Sequence, residues 1–529
     1  MIKIADIRVP LNYDMKMLEN LVTEKLRIES NRIKHISISN RSVNTLNKLD
    51  IYFNITVVVC ISGDENEVIW SIKDKRITKE IDLSYTVPMQ KKLNERPVVV
   101  GCGPAGIFAA LILAQAGSRP ILLERGLDVD RRKERVLKFW QTGIFDTKTN
   151  VQFGEGGAGT FSDGKLKIGK KDSRKIKVLS EFVEAGAPPE IMYLSKPHIG
   201  TDRLHEVVKT IRKKIISLGG EVRFDATVNE ILFKNEHVTG IRFIENGQKS
   251  EISTDNVVLA IGHSARDTFE NLLSSGIYME QKPFAVGVRI EHTQGMINKI
   301  QYGNFDGHPA LGAADYRMVV HLQNGRAVYT FCMCPGGTVV AATSEENCIT
   351  TNGMSEFARD GRNANSALFV TINKSDFGSD HPLAGIAYQR KIEAAAFAAG
   401  GGGYKAPVQR LEDFLQKRKT ISFGDVLPTY LPGTEFAQVD SYLPNYIADT
   451  LREGISDMGA WMPGFAYPDS ILTGAETRSS SPVRITRDDS YQAVGIKGLY
   501  PCGEGAGYAG GIISAAVDGV ICAEQILTL

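Results

Sequence analysis

Gly101, Gly103 and Gly106 complete a G-x-G-x-x-G spacing inside PVVVGCGPAGIFAALILAQAGSRPILLERG. Each glycine meets a separate demand of phosphate binding. Gly101 permits a tight turn, Gly103 lets the backbone approach a pyrophosphate, and Gly106 lets a helix pack close to a strand. Pro104 and Ala105 open that helix, whose N-terminal N–H groups attract phosphate charge. Glu124, 23 residues after Gly101 and followed by Arg125, stands where an acid accepts a bond from a ribose hydroxyl. In GEGGAGTFSDGKL, the backbone of Gly157, Ala158 and Gly159 offers N–H groups unshielded by side chains. Together with Thr160, Phe161 and Ser162 this stretch reads as a loop wrapping a pyrophosphate, the alternative being an unusually glycine-rich surface loop.

The elements around these residues suit the task. PVVVG is a short apolar run, as expected of a strand buried on both faces of a parallel sheet. IFAALILAQAG continues as a helix ended by Gly117, and PILLE supplies a second strand ending at Glu124. Near the other terminus, GIKGLYPCGEGAGYAGGIISAAVDGV reads as strand, glycine turn with Gly503 and Glu504, and a helix opening near Gly511 and Ile512. The spacing alone does not separate a nicotinamide from a flavin dinucleotide.

The chain has 529 residues, too many for one compact core. Its formal charge is +1, with no basic arm or stripe, so nucleic acid is not an expected partner. MIKIADIRVP alternates like a strand rather than opening a signal peptide, and the longest mostly apolar stretch, IYFNITVVVCI, is too short to span a bilayer. Seven scattered cysteines read as reduced thiols in a cytoplasmic protein, and no residue set has the spacing of a metal site. Residues 1–90 alternate as βαββαβ, a small ferredoxin-like α+β module suited to docking or dimerisation. A polar linker, Thr86–Pro97, follows. The oligomeric state is not legible.

The segments GCGPAG, LLERG and GLYPCGEGAGYAGGI together resemble FAD-binding oxidoreductases of the two-dinucleotide-binding-domain fold. With NVQFGEGGAGTFSDGKL, KPHIGTDRL, AIGHSARDTF, FCMCPGG and GAETRSSSPVRI, the whole chain is similar to the bacterial family of FAD-dependent (NAD/FAD-utilising) dehydrogenases. The resemblance implies an α/β fold with a Rossmann-like FAD-binding domain in two parts, 91–280 and 476–529. An inserted α+β substrate domain, 281–475, would roof the isoalloxazine. It further implies that Glu504 serves the ribityl and inner phosphate, that Gly511 and Ile512 lie near the flavin carbonyl, and that Val228 gives the adenine a main-chain contact. Ala260 and Gly262 belong to a strand and turn that pass under the cofactor, although Ile261 replaces the family's usual threonine. No second strand–G-x-G-x-x-G–helix appears, so there is no dedicated NAD(P) domain and NAD(P)H would dock transiently as electron donor.

Flavin chemistry asks the protein for position, electrostatics and often a proton donor on the substrate side. His263, directly after the AIG turn, is the first candidate, and His198 in KPHIGTD the second; each is otherwise a histidine bonded to a local carbonyl. Asp202 there suits a helix N-cap, and Lys165 could place a cation near the reduced flavin. Cys332 and Cys334, two apart on a strand, would share a face and allow a redox thiol, or else be core residues. Arg478 could clamp a substrate carboxylate or phosphate, or pair with Glu476 or another acid. The expected function is an FAD-dependent oxidoreductase moving hydride between NAD(P)H or an organic donor and a small molecule. The rival readings are an RNA-modifying or non-redox FAD enzyme, and a non-catalytic binding protein on the same scaffold.

Overall fold

The computed structural model describes residues 1–89, 93–167, 169 and 172–528. The expected domain boundary between residues 90 and 91, and the terminal Leu529, lie outside the described residues.

The first unit runs β1 (Ile2–Val9), α1 (Met15–Leu26), β2 (Ile33–Asn44), β3 (Tyr52–Ile61), α2 (Glu65–Ile72) and β4 (Ile77–Lys79). Its strands pair antiparallel in the order β2-β3-β1-β4. Asp14 and Asp64 cap the two helices by accepting bonds from first-turn N–H groups, as short acidic side chains do at N-caps. The apolar residues of both helices and of alternate strand positions form one small core. The unit docks through Arg41 of β2, whose backbone exchanges hydrogen bonds with Tyr193 and Ser195.

Next come β5 (Val98–Val100), α3 (Pro104–Gln115), β6 (Ile121–Leu123), α4 (Val129–Thr142), α5 (Ser173–Glu184), α6 (Thr201–Ser217) and β7 (Glu221–Arg223). They are followed by β8 (Ala226–Lys234), β9 (His237–Glu245), β10 (Gln248–Ser253), β11 (Val257–Leu259), α7 (Arg266–Ser274) and β12 (Met279–Gln281). The chain then builds β13 (Phe284–Thr293), α8 (Gln294–Tyr302), β14 (Val319–His321), β15 (Ala327–Cys334), β16 (Thr338–Ala341), β17 (Thr351–Met354) and β18 (Asn363–Ile372). It continues through α9 (Ala384–Ala399), β19 (Ala406–Arg410), α10 (Leu411–Leu415), β20 (Thr434–Phe436), α11 (Asn445–Trp461) and β21 (Ile471–Glu476). It closes with β22 (Val483–Ile485), β23 (Leu499–Pro501) and α12 (Ile512–Thr528).

Strands from both ends of this order meet in one parallel sheet, β23-β11-β5-β6-β7. Val98, Val99 and Val100 of β5 are buried on both faces, which is why three consecutive valines suit that position. Helix α3 is buried from Ala105 to Ala114 because the sheet and α12 cover it from different sides. A helix apolar all round needs such cover. Phe108 on α3 meets Phe182 edge-on at 5.2 Å, a geometry that contributes about 0.5–1.5 kcal/mol beyond area burial.

Between β12 and β22 the chain makes a second, seven-stranded sheet, β14-β15-β18-β13-β21-β19-β20, with its own apolar core against α11. The β12–β22 ladder, Met279 opposite Ile485 and Gln281 opposite Val483, is the neck through which the chain leaves and returns. No helix among the described residues is long and apolar enough to cross a membrane.

Candidate functional site

A cleft of about 520 Å³ lies between the parallel sheet and the seven-stranded sheet. That volume falls within the range of about 300–1,000 Å³ common to small-molecule and cofactor sites. Its floor is the glycine motif. Gly101 has φ +99°, and a Cβ there would collide with the Ala260 carbonyl, so the motif turn sits directly on the AIG turn. At Gly106 a Cβ would collide with the Gly101 carbonyl; this glycine serves strand–helix packing and does not line the cleft. Gly103 differs. Its φ is −80°, and a Cβ would meet nothing closer than Gly157 Cα at 3.9 Å, so the space before it is open to a ligand.

Glu124 lines the cleft and ties three turns together. Its Oε2 accepts from Cys102 N at 2.7 Å, and its Oε1 accepts from Gly126 N and Gly154 N, each at 2.9 Å. A carboxylate offers about four acceptor sites, so a ribose hydroxyl still finds one. Arg125 beside it pairs with Asp267 and donates to Thr268. Val228 on β8, with Ala226, walls the same end.

The 154–164 loop rests on Arg132 of α4, a residue the sequence reading passed over. Fully buried, its guanidinium donates to the carbonyls of Asn150, Val151, Gly154 and Glu155. Burial lowers its pKa to about 10, so it stays charged. This one cation satisfies the irregular backbone from beneath and leaves Gly157, Ala158, Gly159 and Ser162 facing the cleft. Thr160 and Phe161 do not line it. The Thr160 hydroxyl turns back to the Gly157 carbonyl at 3.0 Å, and Phe161 packs edge-on against Trp140.

The C-terminal motif closes the opposite side. Gly505 sits so close to Gly262 that a Cβ would meet the Gly262 carbonyl at 2.6 Å. Gly503 does not line the cleft; its N–H donates to Asp518 at 2.7 Å while Arg487 pairs with the same carboxylate. Glu504, Gly511 and Ile512 do line it, with the first turn of α12 behind them. Enclosure raises the Glu504 pKa to about 7, against a smaller lowering by Lys282.

The wall facing these motifs comes from the seven-stranded sheet. Arg289, fully buried on β13, forms a bidentate pair with Glu476 at 2.6 and 2.7 Å and donates to Asn365 at 2.8 Å. It also donates to the Cys332 carbonyl at 3.2 Å. Here β15 carries a bulge between Phe331 and Cys334, and Cys332 takes φ +42°. Regular strand alternation is therefore broken between Cys332 and Cys334, although both line the cleft. Cys332 is open to the cleft, though protein surrounds it, whereas Cys334 is buried and its Sγ donates to the Cys332 carbonyl. Burial raises both thiol pKa values, that of Cys334 to about 12, which opposes a reactive thiolate.

Two expectations are corrected. His198 does not line the cleft; its Nε2 bonds the Phe357 carbonyl at 3.0 Å and its ring stacks on Phe357. Asp202 is not the cap of α6. Gly200 holds that position, and Asp202 accepts from Phe357 N. Arg478 reaches the cleft, but its pair is with Glu393, and its remaining contacts are with Ser264 and Ser344. With 4% of its side chain exposed it braces the wall rather than offering a free clamp. His263 does face the cleft, and its Nδ1 is buried without a hydrogen-bond partner. Burial, reinforced by Arg478, lowers its pKa to about 3, so the ring is neutral. The open front of Gly103, the partnerless Nδ1 and the helix start at Ile512 fit a long dinucleotide carrying a flavin.

The sequence matches known families in two places. Residues 283–479 match the family described as "FAD-dependent protein, C-terminal domain-like", and residues 1–60 match a domain of unknown function. An uncharacterized protein of Clostridium beijerinckii is 48% identical over 529 residues, covering 99% of this chain and 98% of that one. Among solved structures, CtdE in complex with FAD is 13% identical over 80% of this chain and 82% of its own, with TM-score 0.31. E. coli quinol fumarate reductase is 13% identical over 82% and 70%, with TM-score 0.36. A geranylgeranyl bacteriochlorophyll reductase-like protein from Thermoplasma acidophilum is 11% identical over 82% and 78%, with TM-score 0.35.

Proposed function

The chain belongs to one family with its uncharacterized Clostridium beijerinckii relative, and from that kinship and the match of residues 283–479 to an FAD-dependent protein family we propose that it is an FAD-dependent oxidoreductase. The observation that carries this reading is that one cleft is lined both by Gly101–Ala105 and by Glu504 with Gly510, Gly511 and Ile512, about four hundred residues apart. When bound, FAD accepts hydride from a donor and passes it to an acceptor, chemistry that no side chain supplies.

The chain's own residues bind, orient and shield. The N–H groups around Gly103 and at Gly157–Gly159, together with the start of α3, meet the pyrophosphate. Glu124 accepts from the adenosine ribose, while Val228 and Ala260 bound the adenine end. Glu504 takes the ribityl and inner-phosphate side. The start of α12 presents a positive helix end that favours negative charge next to Gly511 and Ile512. Lys165, whose Nζ donates to the Met333 carbonyl, adds a cation held against the seven-stranded sheet. The seven-stranded sheet covers the opening and keeps water from the reacting centre. His263, neutral at physiological pH, offers one ring N–H as a hydrogen-bond donor and the other ring nitrogen as an acceptor.

NAD(P)H docks transiently beside this cleft, since the described residues contain one five-stranded parallel sheet and its motifs already serve FAD. Anaerobic mixing of the purified protein with NADH and with NADPH tests the donor. Bleaching of the visible flavin bands with either supports the reading. Flavin that stays oxidised with both removes the nicotinamide from it.

A further inference from the structure

We infer that the substrate admitted beside the seven-stranded sheet is an organic anion, a carboxylate or phosphate monoester with an apolar body, held by Lys167 and Arg317 against Phe331 and Phe369. This rests on the oxidoreductase reading and names the substrate class for that same cleft.

The charge on this wall is one-sided. Five cations line it, Lys165, Lys167, Lys196, Arg317 and Arg359, against the carboxylates of Asp163 and Asp315. Both acids are already used: Asp163 pairs with Arg359, and Asp315 pairs with Lys196 at 2.7 Å. The deeper Glu476 is held by Arg289. Among the described residues neither Lys167 nor Arg317 has an acidic partner.

The two free cations are placed together by the backbone. Thr330 N donates to Met318 O at 3.0 Å, which sets Arg317 alongside Phe331. Lys167 Nζ lies 4.7 Å from the centroid of the Phe331 ring, and Phe331 and Phe369 are tilted neighbours with centroids 6.0 Å apart. The result is an aromatic wall edged, at the mouth of the cleft, by two exposed positive charges with no acidic partner among the described residues. Low-dielectric walls focus such a field and draw anions in.

The test is a titration of the FAD-loaded protein with benzoate, phenyl phosphate and benzamide, followed by the visible flavin spectrum. At least one of the two anions perturbs the spectrum saturably, benzamide does not, and the stronger anion identifies the headgroup. In the double variant Lys167→Gln/Arg317→Gln the Kd for that anion rises at least about tenfold at unchanged FAD content. The inference is overturned if neither anion perturbs the flavin, if benzamide matches them, or if the variant leaves the Kd where it was. A protein that binds no FAD fails before the titration begins, which is a failure of the oxidoreductase reading instead.

Discussion

Gly503 lies against Ala105: a Cβ added at Gly503 would stand 2.8 Å from the Ala105 Cβ. A turn later in space, a Cβ at Gly519 on α12 would collide with the Ala105 carbonyl. The end of the chain is thus packed backbone to backbone on the start of α3. The helix that begins one dinucleotide half and the helix that finishes the other share one interface. Fold and cofactor cleft are completed by the same contacts.

The motif glycines separate by role. Gly103→Ala has an allowed φ and open space, so unfolding free energy changes by no more than about 0.5 kcal/mol. The new methyl occupies the pyrophosphate approach, and FAD affinity falls at least about tenfold. Gly106→Ala drives a methyl into the Gly101 carbonyl and costs about 3 kcal/mol or more. Urea unfolding of the apo proteins and FAD titration measure both. Equal losses of stability in the two variants would contradict this division.

Arg132→Met removes a donor from four buried carbonyls of the 150–155 segment, of which Gly154 and Glu155 keep a second donor while Asn150 and Val151 do not. The variant is expected to lose at least about 3 kcal/mol of stability and to purify without FAD. A near-normal urea midpoint with full FAD content would show that the loop does not depend on this cation.

Glu393 is fully buried and pairs with both Arg266 and Arg478. Those arginines hold its carboxyl well below the usual range. Glu393→Gln leaves two buried guanidiniums short of charge and is expected to cost about 3–5 kcal/mol. Thermal unfolding of the variant reads this directly, and a midpoint unchanged from the parent would refute it.

The pH dependence has a sign fixed by burial. His205, His263 and His292 have folded pKa values of about 4, 3 and 4, below the ordinary 6.5. The unfolded chain therefore binds more protons, and the stability these groups permit is complete above pH 6.5 and drains as pH falls toward 3. Each contributes a slope of about 1.4 kcal/mol per pH unit inside its window. Glu393, lowered from 4.5, adds a loss of the same sign at more acidic pH. Glu504, raised to about 7, acts the other way in the apo protein, as do Glu155, Glu291 and Glu476, which burial also raises, and these groups regain stability as pH falls. In denaturant unfolding between pH 6.5 and 4, His263→Gln should remove about one proton's worth of acid-induced loss from the slope of stability against pH. An unchanged slope in that variant would mean His263 is not held neutral.

What could be read from residues alone follows from how local each constraint is. The glycine spacing was legible because turn, approach and packing are set within a few residues of Gly101. The element order of residues 1–79 was legible from apolar periodicity. The different burial of Cys332 and Cys334 was not legible, because a bulge breaks the strand alternation and the guanidinium of Arg289, a residue of another strand, holds the Cys332 carbonyl there. Arg132 sits in DVDRRKERV, a charged run that resembles a solvated helix face until the loop it supports is seen. His198 looked available because Phe357, which occupies it, lies 159 positions away.

The central claim is that one FAD is clasped between the Gly103 segment and the Glu504 segment. The most direct measurement is the FAD content of the purified protein, by visible absorbance and release on denaturation, in the parent and in Gly103→Ala and Glu504→Ala. The account predicts about one FAD per chain in the parent and a marked loss in each variant, with the fold retained. A colourless parent that takes up no added FAD, or full occupancy in both variants, would contradict it.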